Sequence, residues 1–255
     1  RRLEYCACQR TGAVVTVSQA EAELFRRICP NDHTFAIPNG VDLDYFRPLS
    51  GEGQPGRCVF VGGLDYHVNI DGICWFCREV WPAIRDARSD ATLAIVGRNP
   101  TTEIQRLSSL AGVSVFGDVP DVRPFLAEAP ISIAPLRIAR GIQNKVLEAM
   151  ACGRPVVTSP AALLGLQAAP GVHVLTAETP VDWRDAIVHL FDAVCERRRL
   201  CLAARRYVEC RHNWQACFEP FARLLDHFEG MGHAIVAQPP QRILQGSGRA
   251  VTSRV

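Results

Sequence analysis

A chain of 255 residues with 48% hydrophobic and 21% charged residues can bury a sizeable core, in one large domain or two small ones. Its 28 basic and 26 acidic residues leave a net charge of only +2, which excludes a nucleic-acid or polyanion footprint in the total. No apolar run approaches the ~18 residues that span a bilayer, and Arg1-Arg2-Leu3-Glu4-Tyr5 does not read as a signal peptide. The 11 cysteines are scattered, with Cys6/Cys8 and Cys74/Cys77 the only close pairs. No second pair stands at zinc-finger spacing and no histidine is near, so the reading is no metal and reduced, mostly buried thiols in a cytosolic protein.

In chain order, residues 13–17 (Ala-Val-Val-Thr-Val) read as a short apolar strand. Ser18 with Glu21 three residues on forms a capping box for a helix whose apolar face is Ala22, Phe25 and Ile28. Residues 35–37 are a second short strand, and Pro38-Asn39-Gly40-Val41-Asp42 is a sharp turn with Asn39 and Gly40 as positive-φ candidates. A linker follows through Phe46 and the glycines Gly51 to Gly56, and a domain boundary falls there.

The strand 57–61, apolar on both faces, belongs in the middle of a parallel sheet and runs into Gly62-Gly63. These glycines either form a simple tight turn or let a ligand approach the backbone, the use expected at the carboxyl end of such a strand. A long helix is expected over 69–88, with Cys74 and Cys77 packed as small apolar groups. A strand over 91–96 ends in Gly97-Arg98-Asn99-Pro100; a helix covers 102–110; a strand covers 113–116; Asp121 caps a helix over 122–128; and a strand covers 131–134. Trp75, Trp81 and Trp214 fit core or interdomain packing.

The stretch 137–157 organises the rest. It reads as a basic loop, a short helix opened by Gly141, and a strand starting at Val156-Val157. Ile142, Val146, Ala149 and Met150 fall at helical spacing, and Gly153 before Arg154-Pro155 ends the helix. A helix N-terminus flanked by Arg137, Arg140 and Lys145 suits an anion, because unpaired N–H groups and the helix dipole favour negative charge. Glu148 lies one turn inside, where a carboxylate can accept hydrogen bonds from the paired hydroxyls of a ribose. Lys145 is the only lysine in the chain. Either arginine-rich usage spared it by chance, or the position needs a compact ammonium that a planar guanidinium cannot replace. Asn144 either positions the loop or reaches a phosphate.

Strands follow at 156–157 and 172–175, helices at 181–194 and 196–210, and a last helix introduced by His212-Asn213-Trp214 and running through Phe228. Residues 231–255 read as a disordered tail. The alternation of strand and helix means an α/β fold with a Rossmann-like, doubly wound parallel sheet. No Gly-x-Gly-x-x-Gly follows a strand, which argues against a nicotinamide-dependent dehydrogenase.

Together these motifs resemble a family. Ser18 with Glu21-Ala22, Pro38-Asn39-Gly40-Val41-Asp42 with Phe46 and Pro48, Phe60 to Asp65 with Asn69, Ile95-Val96-Gly97, and 141–157 are similar to a retaining GT-B glycosyltransferase of the GT4 type. The nearest variety is the sugar transferases of bacterial exopolysaccharide clusters, and the match runs from about residue 10 to 230. The resemblance implies hexosyl transfer from a nucleoside-diphosphate sugar to a saccharide or lipid-linked acceptor, with retention and with neither cofactor nor metal. The setting it implies is cytoplasmic, at most peripheral at the inner face of the membrane, with no nucleic-acid partner.

It assigns the ribose to Glu148 and the diphosphate loop to Gly62 and Gly63. It places the base between the loops after Gly97, including Arg98, and around Val119. Arg137, Arg140, Gly141, Asn144 and Lys145 would surround the diphosphate, with Lys145 and Arg140 as leaving-group stabilisers. Three departures stand out. Arg140 occupies the place of a glutamate that relatives set near the donor sugar, Gly63 the place of an arginine, and most of the acceptor-side domain is missing.

The chain is therefore expected to be a fragment or truncated product. Residues 1–45 would be the end of the amino-terminal domain, 46–230 the donor-binding domain with closing helices, and 231–255 the tail. Two rival readings remain: a catalytically inactive donor-binding fragment, and a nucleotide-sugar epimerase, which would need its own acid/base pair in the cleft.

Overall fold

A strand whose consecutive side chains are all buried must be covered on both faces. β6 (Ile131–Ala134) and β7 (Val156–Thr158) are such strands throughout, and β3 (Arg57–Val61) and β4 (Thr92–Gly97) are so after their first residue. In the computed structural model, which describes residue 5 and residues 10–29, 34–48 and 50–230, they form the centre of one parallel sheet. With β5 (Val113–Gly117) and β8 (Leu175–Thr176) the strand order is β5-β4-β3-β6-β7-β8. All pairings are parallel. The chain winds outward from β3 in one direction and from β6 in the other, the doubly wound Rossmann order. The fold expectation holds.

Alternate strand residues feed two cores. Cys58, Phe60, Leu93, Ile95, Ile131 and Ile133 face one side. There they meet the helical run α2 (His67–Trp75), a π-turn (Phe76–Val80) and α3 (Trp81–Ala87), with α8 (Pro180–Asp192) behind. Val59, Val61, Ala94, Val96 and Val156 face the other side. They pack on α6 (Asn144–Ala151), α5 (Arg123–Glu128) and α9 (Val194–Arg211). Trp81 and Trp183 are among the largest fully buried side chains, and each buried side chain of this kind is worth roughly 1.5–3 kcal/mol. α4 (Thr102–Arg106) continues as a 3₁₀ turn at Leu107–Ser109, short of the single helix expected over 102–110.

The helix expected over 69–88 is thus three pieces. Pro82 has no N–H to give to the preceding turn, and the ladder widens to a π-turn just before it. Three further expectations are corrected. Neither Asn39 nor Gly40 has positive φ; the only non-glycine residues that do, among those described, are Asn99 and Asp118. Gly40 is needed for space instead, since a Cβ there would lie 2.6 Å from Trp214 Cδ2. The strand expected over 172–175 shrinks to Leu175–Thr176, and α7 (Pro160–Leu163) had no counterpart in the sequence reading.

The amino-terminal residues form a separate two-stranded parallel sheet, β1 (Val14–Thr16) beside β2 (Thr34–Ala36), bridged by α1 (Gln19–Ile28). Ser18 Oγ caps α1 by accepting from Glu21 N at 3.3 Å. The reciprocal half of the expected box is replaced by Ser18 Oγ donating to Glu21 Oε2 at 3.2 Å. The following linker is clamped to the large sheet's helices. The Arg123 guanidinium lies 3.8 Å from the Tyr45 ring centroid and pairs with Asp121 at 2.7 Å, holding that carboxyl down at about 2. Arg205 donates to Phe46 O and Ala151 O at 2.9 and 2.7 Å.

α10 (Trp214–Gly230) returns the chain to the linker, with Val41 N donating to His212 O at 2.7 Å. The tail expected over 231–255, and Cys6 and Cys8, lie outside the described residues. Cys58, Cys74, Cys77, Cys152 and Cys217 are buried, and burial pushes the Cys74 and Cys77 thiols up to about 12. They pack as small apolar groups, as expected.

Candidate functional site

In a sheet of this order the crevice opens where the winding reverses, at the carboxyl ends of β3 and β6. β3 ends there in Gly62-Gly63 and β4 in Gly97. The two strand ends touch so closely that a Cβ on Gly97 would stand 1.7 Å from Gly62 O. Leu64 N then donates to Arg98 O at 2.8 Å, locking the two loops together.

Asn69, buried in the first turn of α2, makes the central contact. Its Nδ2 donates to Gly63 O at 2.8 Å and its Oδ1 accepts from Lys145 Nζ at 2.8 Å. Lys145 reaches it from the second position of α6, on the far side of the switch point. Its nitrogen lies 5.7 Å from the Phe60 ring centroid, and a Cβ on Gly62 would stand 3.1 Å from Lys145 Cε. Gly62 is therefore a glycine so that the lysine stem can pass. An ammonium has three donors, of which Asn69 takes one, and its partner is a neutral amide that does not cancel the charge. Desolvation lowers the Lys145 amine to about 8, opposed by the negative charge of Glu148. Burial in turn raises the Glu148 carboxyl, opposed by Lys145. An electropositive, partly desolvated pocket is a place where an incoming anion gains most.

α6 opens at Asn144 and not at Gly141, which sits in a turn with φ +64°. A Cβ on Gly165 would lie 2.0 Å from Gly141 O, so the two glycines pass back to back. Gln143 precedes the helix without a side-chain cap; its carbonyl accepts from Val146 N at 2.9 Å, and the Asn144 and Lys145 N–H groups ahead of it suit another acceptor. Lys145 thus stands at the helix start itself, one turn nearer the anion position than a Gly141-initiated helix would put it.

The other sequence-selected residues scatter around this cluster. Glu148, half-buried, borders a cavity of about 190 Å³ with Gly40, Asn144 and Trp214. Asn144 Oδ1 accepts from Asn39 Nδ2 at 3.2 Å, so its present use is to tie the linker turn to α6. Arg137 is exposed and pairs with Asp71 at 3.4 Å. Arg140 is exposed, its carbonyl accepting from Gln143 Nε2 at 3.1 Å. Arg98 is exposed at the end of β4, and Val119 is half-buried against the second core. Among the described residues no hydrogen bond joins Arg98, Arg137 or Arg140 to the Lys145 cluster.

Between Arg98 and Val119 stand the two left-handed non-glycine residues. Asn99 N donates to Asp118 Oδ1 at 2.8 Å, and Asn99 Nδ2 to Asp65 Oδ2 at 3.0 Å. Such backbone costs of order 1–3 kcal/mol and gathers at ligand clamps. From the sequence, Asn69 and Asn99 were named within motifs but given no site role, and Asp118 was not singled out. The signal for Asn69 was present: a buried asparagine just past a glycine pair has a carbonyl at hand to orient its amide. Among the described residues no group of three or more His, Cys, Asp or Glu could hold a metal ion, and no helix is long and apolar enough to cross a membrane.

These features define an α/β protein with an anion-suited crevice at the topological switch point of a Rossmann-like sheet. The family profile described as "Glycosyl transferases group 1" matches residues 55–193, more than half of the chain, and the chain belongs to that family. No curated protein matches it.

Among solved structures, S. aureus TarM is 14% identical with TM-score 0.74, covering 88% of this chain and 45% of its own. Anabaena HepE in complex with UDP and glucose is 16% identical with TM-score 0.71, covering 88% and 66%. The C-terminal domain of the group 1 family protein LpcC from Francisella tularensis is 16% identical with TM-score 0.57, covering 69% of this chain and 100% of its own. The chain thus spans about half to two thirds of the length of the first two structures.

Proposed function

We propose that this chain is the nucleotide-sugar-binding half of a hexosyltransferase, with the donor diphosphate held between Gly62-Gly63 and the start of α6. The observation that carries this reading is the Gly63–Asn69–Lys145 relay, which fixes an ammonium on a neutral amide at the start of a helix without a side-chain cap. Neighbouring folds were solved with UDP and glucose or UDP-glucose bound, which supports a nucleoside-diphosphate sugar as the donor class. In the chemistry proposed, charge builds on the leaving diphosphate and is met by Lys145, the α6 N–H groups and the exposed Arg140 of the adjoining loop. Glu148 takes the ribose hydroxyls. Transfer with retention, without a metal, to a saccharide or lipid-linked acceptor of a cell-surface glycan extends the same reading. The reaction would take place on the cytoplasmic side.

The chain spans 45% of TarM and 66% of HepE, so residues 1–255 alone are expected to bind donor and transfer poorly. The second reading, a donor-binding module without turnover, is favoured by the same short coverage of the neighbours. Robust glycosyl transfer by this chain alone would exclude it.

The test is a thermal-shift and calorimetry panel of nucleoside diphosphates against the matching nucleosides. At least one diphosphate should raise Tm while its nucleoside does so far less; no response from any diphosphate would sink the proposal. Within that panel, Glu148→Ala should weaken the responding diphosphate by about 1.5–3 kcal/mol through lost charge-assisted hydrogen bonds. Equal calorimetric affinity for variant and parent would remove Glu148 from the ribose.

A further inference from the structure

A second pocket, of about 300 Å³, lies at the other end of the sheet, where Pro130 and Pro155 lead into the amino ends of β6 and β7. Three arginines line it: Arg154, Arg197 and Arg198. Arg154 is 4% exposed and Arg197 7%, so two of the three guanidinium charges have left water almost entirely. Arg154 Nη1 and Nη2 donate to Gly51 O and Ala127 O at 3.0 and 2.9 Å, and its Nε has no partner. Arg197 Nη1 donates to Leu190 O and Phe191 O at 2.6 and 2.8 Å. Neutral carbonyls satisfy donors but do not balance charge, and buried unbalanced charge is costly.

Among the described residues, the carboxylate paired with the cluster is Glu52. Its Oε2 lies 3.3 Å from Arg197 Nη2 and its Oε1 2.8 Å from Arg198 Nη2, one arginine to each oxygen. That is the way two guanidinium groups hold a phosphate. Glu52 rides between Gly51 and Gly53, both at positive φ (+84° and +79°), with side-chain relative exposure of 46%.

We infer that this pocket binds a phosphate group, for which the Glu52 carboxylate is the internal stand-in and competitor. Three guanidinium groups line the pocket against Glu52, and the excess of positive charge is balanced better by a dianion than by one carboxylate. The inference does not depend on the donor site.

The test titrates inorganic phosphate into the full chain at constant ionic strength, with chloride as the balancing salt, and follows Tm. It is run on the parent, Glu52→Gln and Arg198→Gln, each also with Lys145→Ala so that phosphate at α6 is not counted. Arg198 is largely exposed, so its loss leaves the fold intact. Glu52→Gln should tighten apparent phosphate binding by about tenfold, and Arg198→Gln should weaken it by about tenfold, with or without Lys145.

Co-sedimentation with phosphatidylcholine vesicles carrying phosphatidic acid separates the sources. Binding that Arg198→Gln abolishes assigns a lipid-borne phosphate. A phosphate response without vesicle binding assigns a soluble phosphate ester. The inference is overturned if phosphate stabilises Glu52→Gln no more than chloride does, or if the response vanishes with Lys145→Ala.

Discussion

Lys145→Ala should lower affinity for a nucleoside diphosphate by about ten- to a hundredfold, with affinity for the bare nucleoside nearly unchanged. The reason is positional. The amine sits at the start of α6, and its bond to Asn69 orients it without neutralising it. Lys145→Arg should also impair binding. Its longer planar head would not place a point charge at the position where Asn69 Oδ1 holds the amine at 2.8 Å.

The lowered amine adds a pH signature with two opposite signs. Lys145 is protonated below about 8, so diphosphate affinity should be full at neutral pH and fall as pH rises through 8. The stability of the unliganded chain should move the other way. The folded amine titrates near 8 and the unfolded one near the usual 10.5, so between those values the unfolded state holds more protons and stability rises with pH. Calorimetry from pH 7 to 9.5 on the parent and Lys145→Ala checks both. An equal loss for nucleoside and diphosphate would mean that Lys145 holds the fold together, and full binding in the arginine variant would return the single lysine to chance.

Gly97→Ala should cost more than ~3 kcal/mol or prevent folding. A methyl group cannot share space with a carbonyl oxygen 1.7 Å away, and that oxygen belongs to Gly62, whose own N–H donates to Val96 O at 3.0 Å. Relieving the clash means prising apart β3 and β4 where they end, at the mouth of the crevice. Gly63→Ala is the internal control. Its nearest contact would be Asp65 Oδ1 at 3.3 Å, the end of an exposed side chain, so stability should fall by no more than ~1 kcal/mol. Urea midpoints compare the two. A Gly97→Ala chain as stable as Gly63→Ala would show that the two strand ends are free to separate.

The sheet was legible because buried parallel strands are written as unbroken apolar runs, and each run here ends at a glycine or a loop of turn formers. The buried face of α6 was legible from helical spacing, in Val146, Ala149 and Met150, while Ile142 is buried in the turn ahead of the helix. Its start was not. Gly141 carries the local signal for a helix opening, but its left-handed backbone and its contact with Gly165, distant in sequence, make it a turn. Asn39 and Gly40 misled similarly. Their turn takes its shape from Trp214, His212 and Asn144, none of them local. Pro82 should have broken the long helix on sight, yet the flanking apolar spacing outweighed it. Asn69 was legible only as the partner of the nearby Gly63; its bond to Lys145, 76 residues on, is made by the fold alone.

The lysine at the heart of the crevice also gives the chain a built-in chemical reporter. Reagents that acylate amines find one side chain to modify, and it stands in the crevice proposed to take the diphosphate. Because its amine sheds its proton near 8, it becomes nucleophilic under milder alkali than an ordinary surface lysine. A single fluorophore or crosslinker could therefore be placed at the donor mouth without engineering a new residue, and occupancy of the crevice would be read as protection of that one site.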